Sequence, residues 1–301
     1  MTPLPTLRQL QFFMALVRRE SFSKAADDCL VSQSTLSSAI KEMEGLLGAQ
    51  LVDRSTRSFA LTPAGELVAA RAGAILASTE DLSRAVTDRK PLEGEFYLGV
   101  IPTIAPFVLP EVTSRLHNAF PKLKLYLRED LTAALAERLA AGLIDAALLA
   151  FPYDIPGVEI EEIGEDPFWF TCDPAHEMAK KARVTTEDLK NAEILLLEDG
   201  HCLREHAVDA CDLSDRAHPA TFGGTSLFTL TQMTRSGLGA TLLPEIAIKG
   251  GLAKNSDLVA IPFAAPAPCR KIGVAWRKGS GRRDEAQAIA AVIKEVLNDN
   301  A

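Results

Sequence analysis

Two cysteines lie close together in one stretch of the chain: Leu195-Leu196-Leu197-Glu198-Asp199-Gly200-His201-Cys202-Leu203-Arg204 is followed by Cys211, nine positions after Cys202. The thiolate, not the thiol, is the nucleophile, so a reactive cysteine needs positive potential nearby. Asp199-Gly200 can cap a short helix, which puts Cys202 in its first turn. There the helix end, His201 and Arg204 favour thiolate, while Glu198, Asp199 and Glu205 oppose it. If residues 202–211 are helical, nine steps separate the two Cα atoms by about 13.5 Å. A disulfide spans roughly 4.4–6.8 Å, so a bridge between these two would require the segment to refold. Cys202, His206, Cys211 and His218 also make a C-x3-H-x4-C-x6-H set, a zinc alternative whose spacings fit no common finger. Cys29 and Cys172 are expected as small buried hydrophobes, and Cys269, next to Arg270, is left open.

A second group of polar side chains lies near the start. Ser32 is placed to cap a helix in which Leu36, Ile40, Met43 and Leu47 bury one side. Gln33, Ser34, Ser37, Ser38 and Lys41 fall on another face and, with Thr35, offer compact donors and acceptors and one cation to a groove. Arg54 and Arg57, near the tip of a short hairpin, would hold phosphates. The competing reading is a structural three-helix bundle with a solvated polar face.

The elements that must position these groups differ along the chain. From Thr6 to about Leu47 the pattern is of short amphipathic helices, with Leu7, Leu10, Phe13 and Leu16 or Val17 at helical spacing and Ala25, Ala26 and Cys29 marking a second, small-faced helix. Residues 50–54 and 57–61 read as two strands of a wing. Thr62-Pro63 opens a helix expected to run to Lys90, with Leu67, Ala70, Ala74, Ala77 and Leu82 along it as a linker that also dimerises. From Gly94 short β-rich runs (96–101, 122–127, 144–150, 168–172, 194–197, 240–243, 272–276) alternate with helical stretches, which predicts an α/β unit with largely parallel sheets. Periodicity does not choose between one sheet and two lobes.

Composition bounds these expectations. The chain has 301 residues, 47% hydrophobic and 24% charged, which excludes disorder and predicts about two domains. No apolar run approaches a membrane span, and the opening lacks the pattern of a secretion signal, so a cytoplasmic protein is expected. Five unevenly spaced cysteines do not make a disulfide framework. Residues 1–90 hold 11 Lys and Arg against 10 Asp and Glu, whereas residues 91–301 hold 21 against 30. A nearly neutral head on an acidic body hints at an anionic partner for the head alone.

Several runs resemble those of the LysR-type transcriptional regulators: Ser21-Phe22-Ser23-Lys24-Ala25-Ala26, Val31-Ser32-Gln33-Ser34-Thr35-Leu36-Ser37, Ile40-Lys41-Glu42-Met43-Glu44, Leu46-Leu47-Gly48, Leu51-Val52-Asp53-Arg54 and Leu61-Thr62-Pro63-Ala64-Gly65. The family more often has proline where this chain has Ser34, and serine also tolerates a first helical turn. The cysteine run, with Ile101-Pro102-Thr103, Leu109-Pro110, Phe120-Pro121-Lys122-Leu123, Thr225-Ser226-Leu227, Thr241-Leu242-Leu243-Pro244 and Ile272-Gly273, is similar to the peroxide-sensing members of that family.

The resemblance implies an α/β protein in three parts: a winged helix-turn-helix over residues 1–62, a linker and dimerisation helix over 63–90, and a two-lobed regulatory domain like periplasmic binding proteins over 91–301. It implies that Cys202 reacts with peroxide and Cys211 resolves it, with Thr103, Thr132, His201 and Arg270 around the oxidant. It further implies DNA reading through Ser32, Gln33, Ser34, Thr35, Ser37, Lys41, Arg54 and Arg57. The implied partners are promoter DNA, hydrogen peroxide, a homotetramer built from dimers, RNA polymerase and a thiol reductant, with no cofactor, metal or membrane and no enzymatic turnover. Taken alone, either Thr103 or Thr132 reads first as a helix cap. Two rivals stand beside the peroxide reading: a regulator that binds a small organic anion near Thr103, Thr132 and Arg270, and a thiol peroxidase.

Overall fold

Thr6 begins the first helix with a capping box, its hydroxyl accepting from the Gln9 amide while the Gln9 side chain accepts from the Thr6 amide. The computed structural model describes residues 4–53, 59–85, 92–211, 213 and 224–299. In contacts the chain divides into two compact units, one formed by residues 1–89 with 137–144 and 279–281, the other by the remainder.

The first unit contains α1 (Leu7–Arg19), α2 (Phe22–Asp28), α3 (Gln33–Leu47), the antiparallel pair β1 (Val52–Asp53) and β2 (Ala60–Leu61), and α4 (Pro63–Ala85). Phe13, Leu16, Leu36, Ile40 and Met43 are fully buried here, each contributing about 1.5–3 kcal/mol of burial. Leu7 and Leu47, expected inside, are exposed, because each lies at the open end of its helix. Buried Glu44 accepts from the Leu51 and Val52 amides, so the end of the third helix sets where the wing begins. Thr62 caps the helix at Pro63 as expected, accepting from the Gly65 amide while donating to the Gln50 carbonyl. Gly65 is required, since a Cβ there would sit 2.0 Å from the Leu51 carbonyl oxygen. The described part of this helix ends at Ala85, and residues 86–90 of the expected span lie outside the described residues. Leu67 and Leu82 are exposed along it, whereas Ala77, expected on the same stripe, is buried.

The second unit contains β3 (Gly94–Val100), α5 (Ala105–Ala119), β4 (Leu123–Glu129), the start of α6 (Thr132–Ala140, whose residues from Glu137 on are counted with the first unit), β5 (Ala146–Phe151), β6 (Val158–Cys172), β7 (Ile194–Leu195), α7 (Cys202–Ala210), α8 (Leu227–Arg235), β8 (Ala240–Pro244), α9 (Glu245–Lys249), α10 (Leu252–Asn255), β9 (Val259–Pro262), β10 (Cys269–Arg277) and α11 (Arg283–Asp299). The strand order is β4-β3-β5-β10-β6-β8-β7, with β9 on β6. The sheet is mixed, not largely parallel. The pairs β3–β4, β3–β5 and β7–β8 are parallel, but β10 runs antiparallel to both β5 and β6, and β6 runs antiparallel to β8 and β9.

The cause is the long β6, of which only residues 168–172 were expected. Its Val158–Pro167 half pairs with β10, and from Phe168 onward it pairs with both β8 and β9. Pro167, which has no amide to donate, sits at the handover. One strand thus serves two α/β lobes. The second has its own core, including Phe168, Phe170, Leu195, Leu203, Leu242 and Ile261.

Candidate functional site

Ser32 caps α3 through its hydroxyl, which accepts from the Thr35 amide and also meets the hydroxyls of Ser34 and Thr35 at 2.8 and 2.7 Å. Its side chain is therefore committed to holding the helix start. Gln33, Ser34, Thr35, Ser38 and Lys41 are exposed and Ser37 is half-buried, one contiguous polar surface. The Gln33 side-chain oxygen accepts from Ser23, which ties the second helix to the start of the third. Arg54 and Arg57 lie outside the described residues. Side chains of this kind at the N-terminal end of the second helix of a helix-turn-helix suit base-edge and phosphate contacts.

The second site is assembled from several elements. Arg270, on β10 and 1% exposed, faces Asp166 directly across the sheet, and its Nε donates to Asp166 Oδ2 at 2.9 Å. Its Nη1 donates to Thr103 Oγ1 at 2.9 Å and its Nη2 to the Thr103 carbonyl at 3.4 Å. Asp166 Oδ1 accepts from the Ile246 amide. The buried charges are thus paired, and the acid's other oxygen is satisfied.

Thr103 precedes α5 and does not cap it. Its hydroxyl accepts from arginine, leaving its own hydrogen to donate onward. Thr132 is the first residue of α6, and its buried hydroxyl has no hydrogen-bond partner of good geometry among the described residues. Instead it acts on the Cys202 thiol, favouring thiolate. The capping reading of both threonines is overturned.

Cys202 opens α7 and Cys211 closes it, and both are free and buried. Asp199 does not cap this helix. The capping residue is His201, whose side chain makes no capping bond, and exposed Asp199 pairs instead with Arg204 at 2.9 Å. Arg204 also donates to the Leu197 carbonyl. Burial lowers His201 below its ordinary pKa, against the pull of Glu198, so at neutral pH it is not a cation. Neither neighbour therefore supplies the positive charge expected at Cys202.

Arg270 does, from a distant strand. Burial nevertheless pushes the Cys202 thiol above its ordinary pKa and outweighs Arg270 and Thr132, with Glu205 adding to the rise. The expected shift toward thiolate is corrected: first-turn placement is present, but desolvation dominates.

The two ends of α7 face different surroundings because of helical spacing. Leu203, Ala207 and Cys211 repeat every four residues and enter the core of the second lobe. Burial there raises Cys211 to about 12. Cys202 and His206, also four apart, share another face and both feel Arg270. His206, earlier counted in the zinc set, spends Nε2 on the Pro152 carbonyl at 2.8 Å. Among the described residues no cluster of three or more His, Cys, Asp or Glu is placed to hold a metal, and His218 lies outside them.

Cys172 is fully buried with its thiol raised to about 11, as expected of a packing residue, whereas Cys29 is only half-buried and Cys269 is exposed. Asp166, Pro152 and the true place of His206 were missed. Asp166 hides in the acidic run from Glu161 to Asp166, and only strand register sets it opposite Arg270. No helix among the described residues is long and apolar enough to cross a membrane.

Residues 7–66 match the bacterial regulatory helix-turn-helix protein, lysR family, and residues 89–298 match the LysR substrate binding domain. The HTH-type transcriptional regulator EstR of Acinetobacter baylyi is 38% identical over 297 residues, covering 98% of each chain. A probable hydrogen peroxide-inducible genes activator of Mycobacterium avium is 39% identical over 296 residues, covering 98% of this chain and 95% of its own. Among solved structures, full-length OxyR of Pseudomonas aeruginosa superimposes with a TM-score of 0.83 at 31% identity, covering 96% of this chain and 94% of its own.

Proposed function

This chain belongs to the LysR family of helix-turn-helix transcriptional regulators, which is not an enzyme family, and we propose that it senses hydrogen peroxide through a reversible Cys202–Cys211 disulfide. The observation that carries this reading is that two free cysteines bracket one nine-residue helix, one against Arg270 and Thr132, the other in an apolar core.

Cys202 loses its proton, and the sulfur attacks one oxygen of peroxide. The O–O bond breaks, the departing oxygen leaves as water once protonated, and Cys202 becomes a sulfenic acid. Attack by the Cys211 sulfur then forms the disulfide and releases a second water. Charge develops on the departing oxygen, so donors must face it. Thr103, which receives from Arg270, and Thr132, whose hydroxyl is otherwise unused, are suited to that task; His201 adds a third donor. Since the helix sets the two Cα atoms about 13.5 Å apart along its axis, closing the bond unwinds α7 and traps a second local fold.

In the same reading residues 1–62 bind promoter DNA, residues 63–90 link and dimerise, and residues 91–301 carry the sensor. Gln33, Ser34, Thr35, Ser37 and Lys41 read the groove, with Ser32 holding the helix start and Arg54 and Arg57 on phosphates. The assembly is a cytoplasmic homotetramer that responds to redox state through RNA polymerase and is reset by a thiol reductant. It turns over no substrate and needs no cofactor or metal.

The matched substrate-binding domain and the EstR relative, whose name carries no oxidant, favour a second reading in which a small organic anion binds between the lobes. Against it, the charge of Arg270 is already balanced by Asp166, which leaves an anion little to bind. Peroxide is uncharged and needs only hydrogen bonds.

The test is a footprint of promoter DNA with reduced and peroxide-treated protein, with mass spectrometry of the cysteines. Wild type is expected to form the 202–211 bridge and change its footprint, and Cys202→Ser to do neither. A response that survives Cys202→Ser would overturn the reading in favour of the organic anion. Peroxide consumed at many equivalents per chain without DNA binding would favour a peroxidase.

A further inference from the structure

His206 sits at the middle of α7, one turn after Cys202. Its Nε2 lies 2.8 Å from the Pro152 carbonyl, in the segment after β5. A carbonyl only accepts, so Nε2 carries the proton and donates. The other nitrogen, Nδ1, is buried without a hydrogen-bond partner among the described residues. The ring is thus kept neutral by burial and tied to the segment after β5 by its Nε2 bond, on the helix that the redox step must unwind. We propose that His206 is a proton-sensitive latch that keeps the reduced form of α7 in place, positioning Cys202 until the Cys202–Cys211 bond closes. This rests on the disulfide reading above and adds to it a residue and a second input, pH.

The surroundings set the sign. From β10, Arg270 faces the ring with its charge balanced by Asp166 of β6. From the helix itself come Glu205, Asp209 and the Cys202 thiol, and from the segment after β5 the Pro152 carbonyl. Burial lowers His206 below its ordinary 6.5, and Arg270 adds to this, whereas the Pro152 bond, Glu205 and Asp209 pull back. Unwinding the helix breaks the Pro152 bond and gives Nδ1 to water, where the ordinary value returns. The latch is then at full strength above about pH 6.5. As pH falls from there toward the lowered value, protonation favours the unwound, bridged form by up to about tenfold per pH unit.

Exchange with glutathione isolates this effect. The two protein thiols and one glutathione disulfide give the protein bridge and two glutathione thiols, so electrons and thiol protons balance. Cys211 is raised to about 12 and Cys202 also lies above its ordinary value, so between roughly pH 5 and 7 the thiols stay protonated. Any pH slope in the exchange constant reports other groups. His201 is one, and comparison with His206→Gln removes its share.

Glutamine keeps a donor at the reach of Nε2 and cannot titrate. His206→Gln is expected to match wild type at pH 7 and to lose the several-fold rise in bridge formation that wild type gains by pH 5.5. His206→Leu, with no donor, should bridge more readily than wild type at every pH. A His206→Gln protein with the full wild-type slope overturns the proposal, as does His206→Leu equal to wild type at pH 7. A wild type that forms no bridge at any glutathione ratio overturns the disulfide reading itself, a result distinct from a bridge that forms with no dependence on His206.

Discussion

The proposed DNA-reading face comes from one short run, residues 32–41 on a single helix, whereas the proposed redox site draws on residues from Thr103 to Arg270 spread over both lobes. In the first, the groups proposed to contact DNA are exposed or half-buried, and the groups that build the helix lie on its other side. In the second, Thr103, Thr132, Asp166, His201, Cys202, His206, Cys211 and Arg270 are all buried, so each of these chemical groups is also a structural one. Arg270 lowers the Cys202 thiol and binds Thr103, but it also neutralises Asp166. On the proposed reading, function and stability separate in the head and are joined in the sensor.

The sharpest test of that contrast is Arg270→Met. Among the described residues it leaves buried Asp166 with only the Ile246 amide, and breaking a buried pair in this way is expected to lower unfolding free energy by about 3–5 kcal/mol in urea titration. Adding Asp166→Leu should recover most of the loss. A single variant as stable as wild type would break the comparison. In the head, Gly65→Ala forces a methyl onto the Leu51 carbonyl, and a loss of about 1–3 kcal/mol is expected by thermal unfolding.

Ser32→Ala removes the cap on α3 and should cost about 1 kcal/mol, with DNA binding weakened only as far as the helix start frays. The smallest effect on stability, within about 0.5 kcal/mol, is expected from Lys41→Ala. There the readout is DNA affinity, whose slope of log K against log salt should fall by about 0.9 if the lysine holds one phosphate. An unchanged slope would remove Lys41 from the interface, and a large loss of stability would show that head and sensor are not built differently after all.

Much of the head is legible in order along the chain. The Ser32 cap, the buried positions Leu36, Ile40 and Met43 and the Thr62-Pro63 start depend on neighbours within four residues, and the structure has each. Leu7 and Leu47 went astray because periodicity says which side of a helix is apolar, not where along it the packing partner stops. In the sensor, the first-turn place of Cys202 and the helical separation of the cysteines were legible for the same local reason. The expected thiolate was not, because burial is a property of the whole lobe and here exceeds the pull of nearby cations.

By itself the amino-acid order determined the starts of α3 and α4, the polar face of α3 and the spacing that holds Cys202 away from Cys211, since these follow from hydrogen bonds and periodicity within a few residues. Only the tertiary structure decided that Arg270 meets Asp166 and Thr103, that Thr132 turns to Cys202, and that His206 reaches Pro152. Strand register and lobe packing bring those groups together across 54 to 167 positions of chain, and no local pattern carries that information.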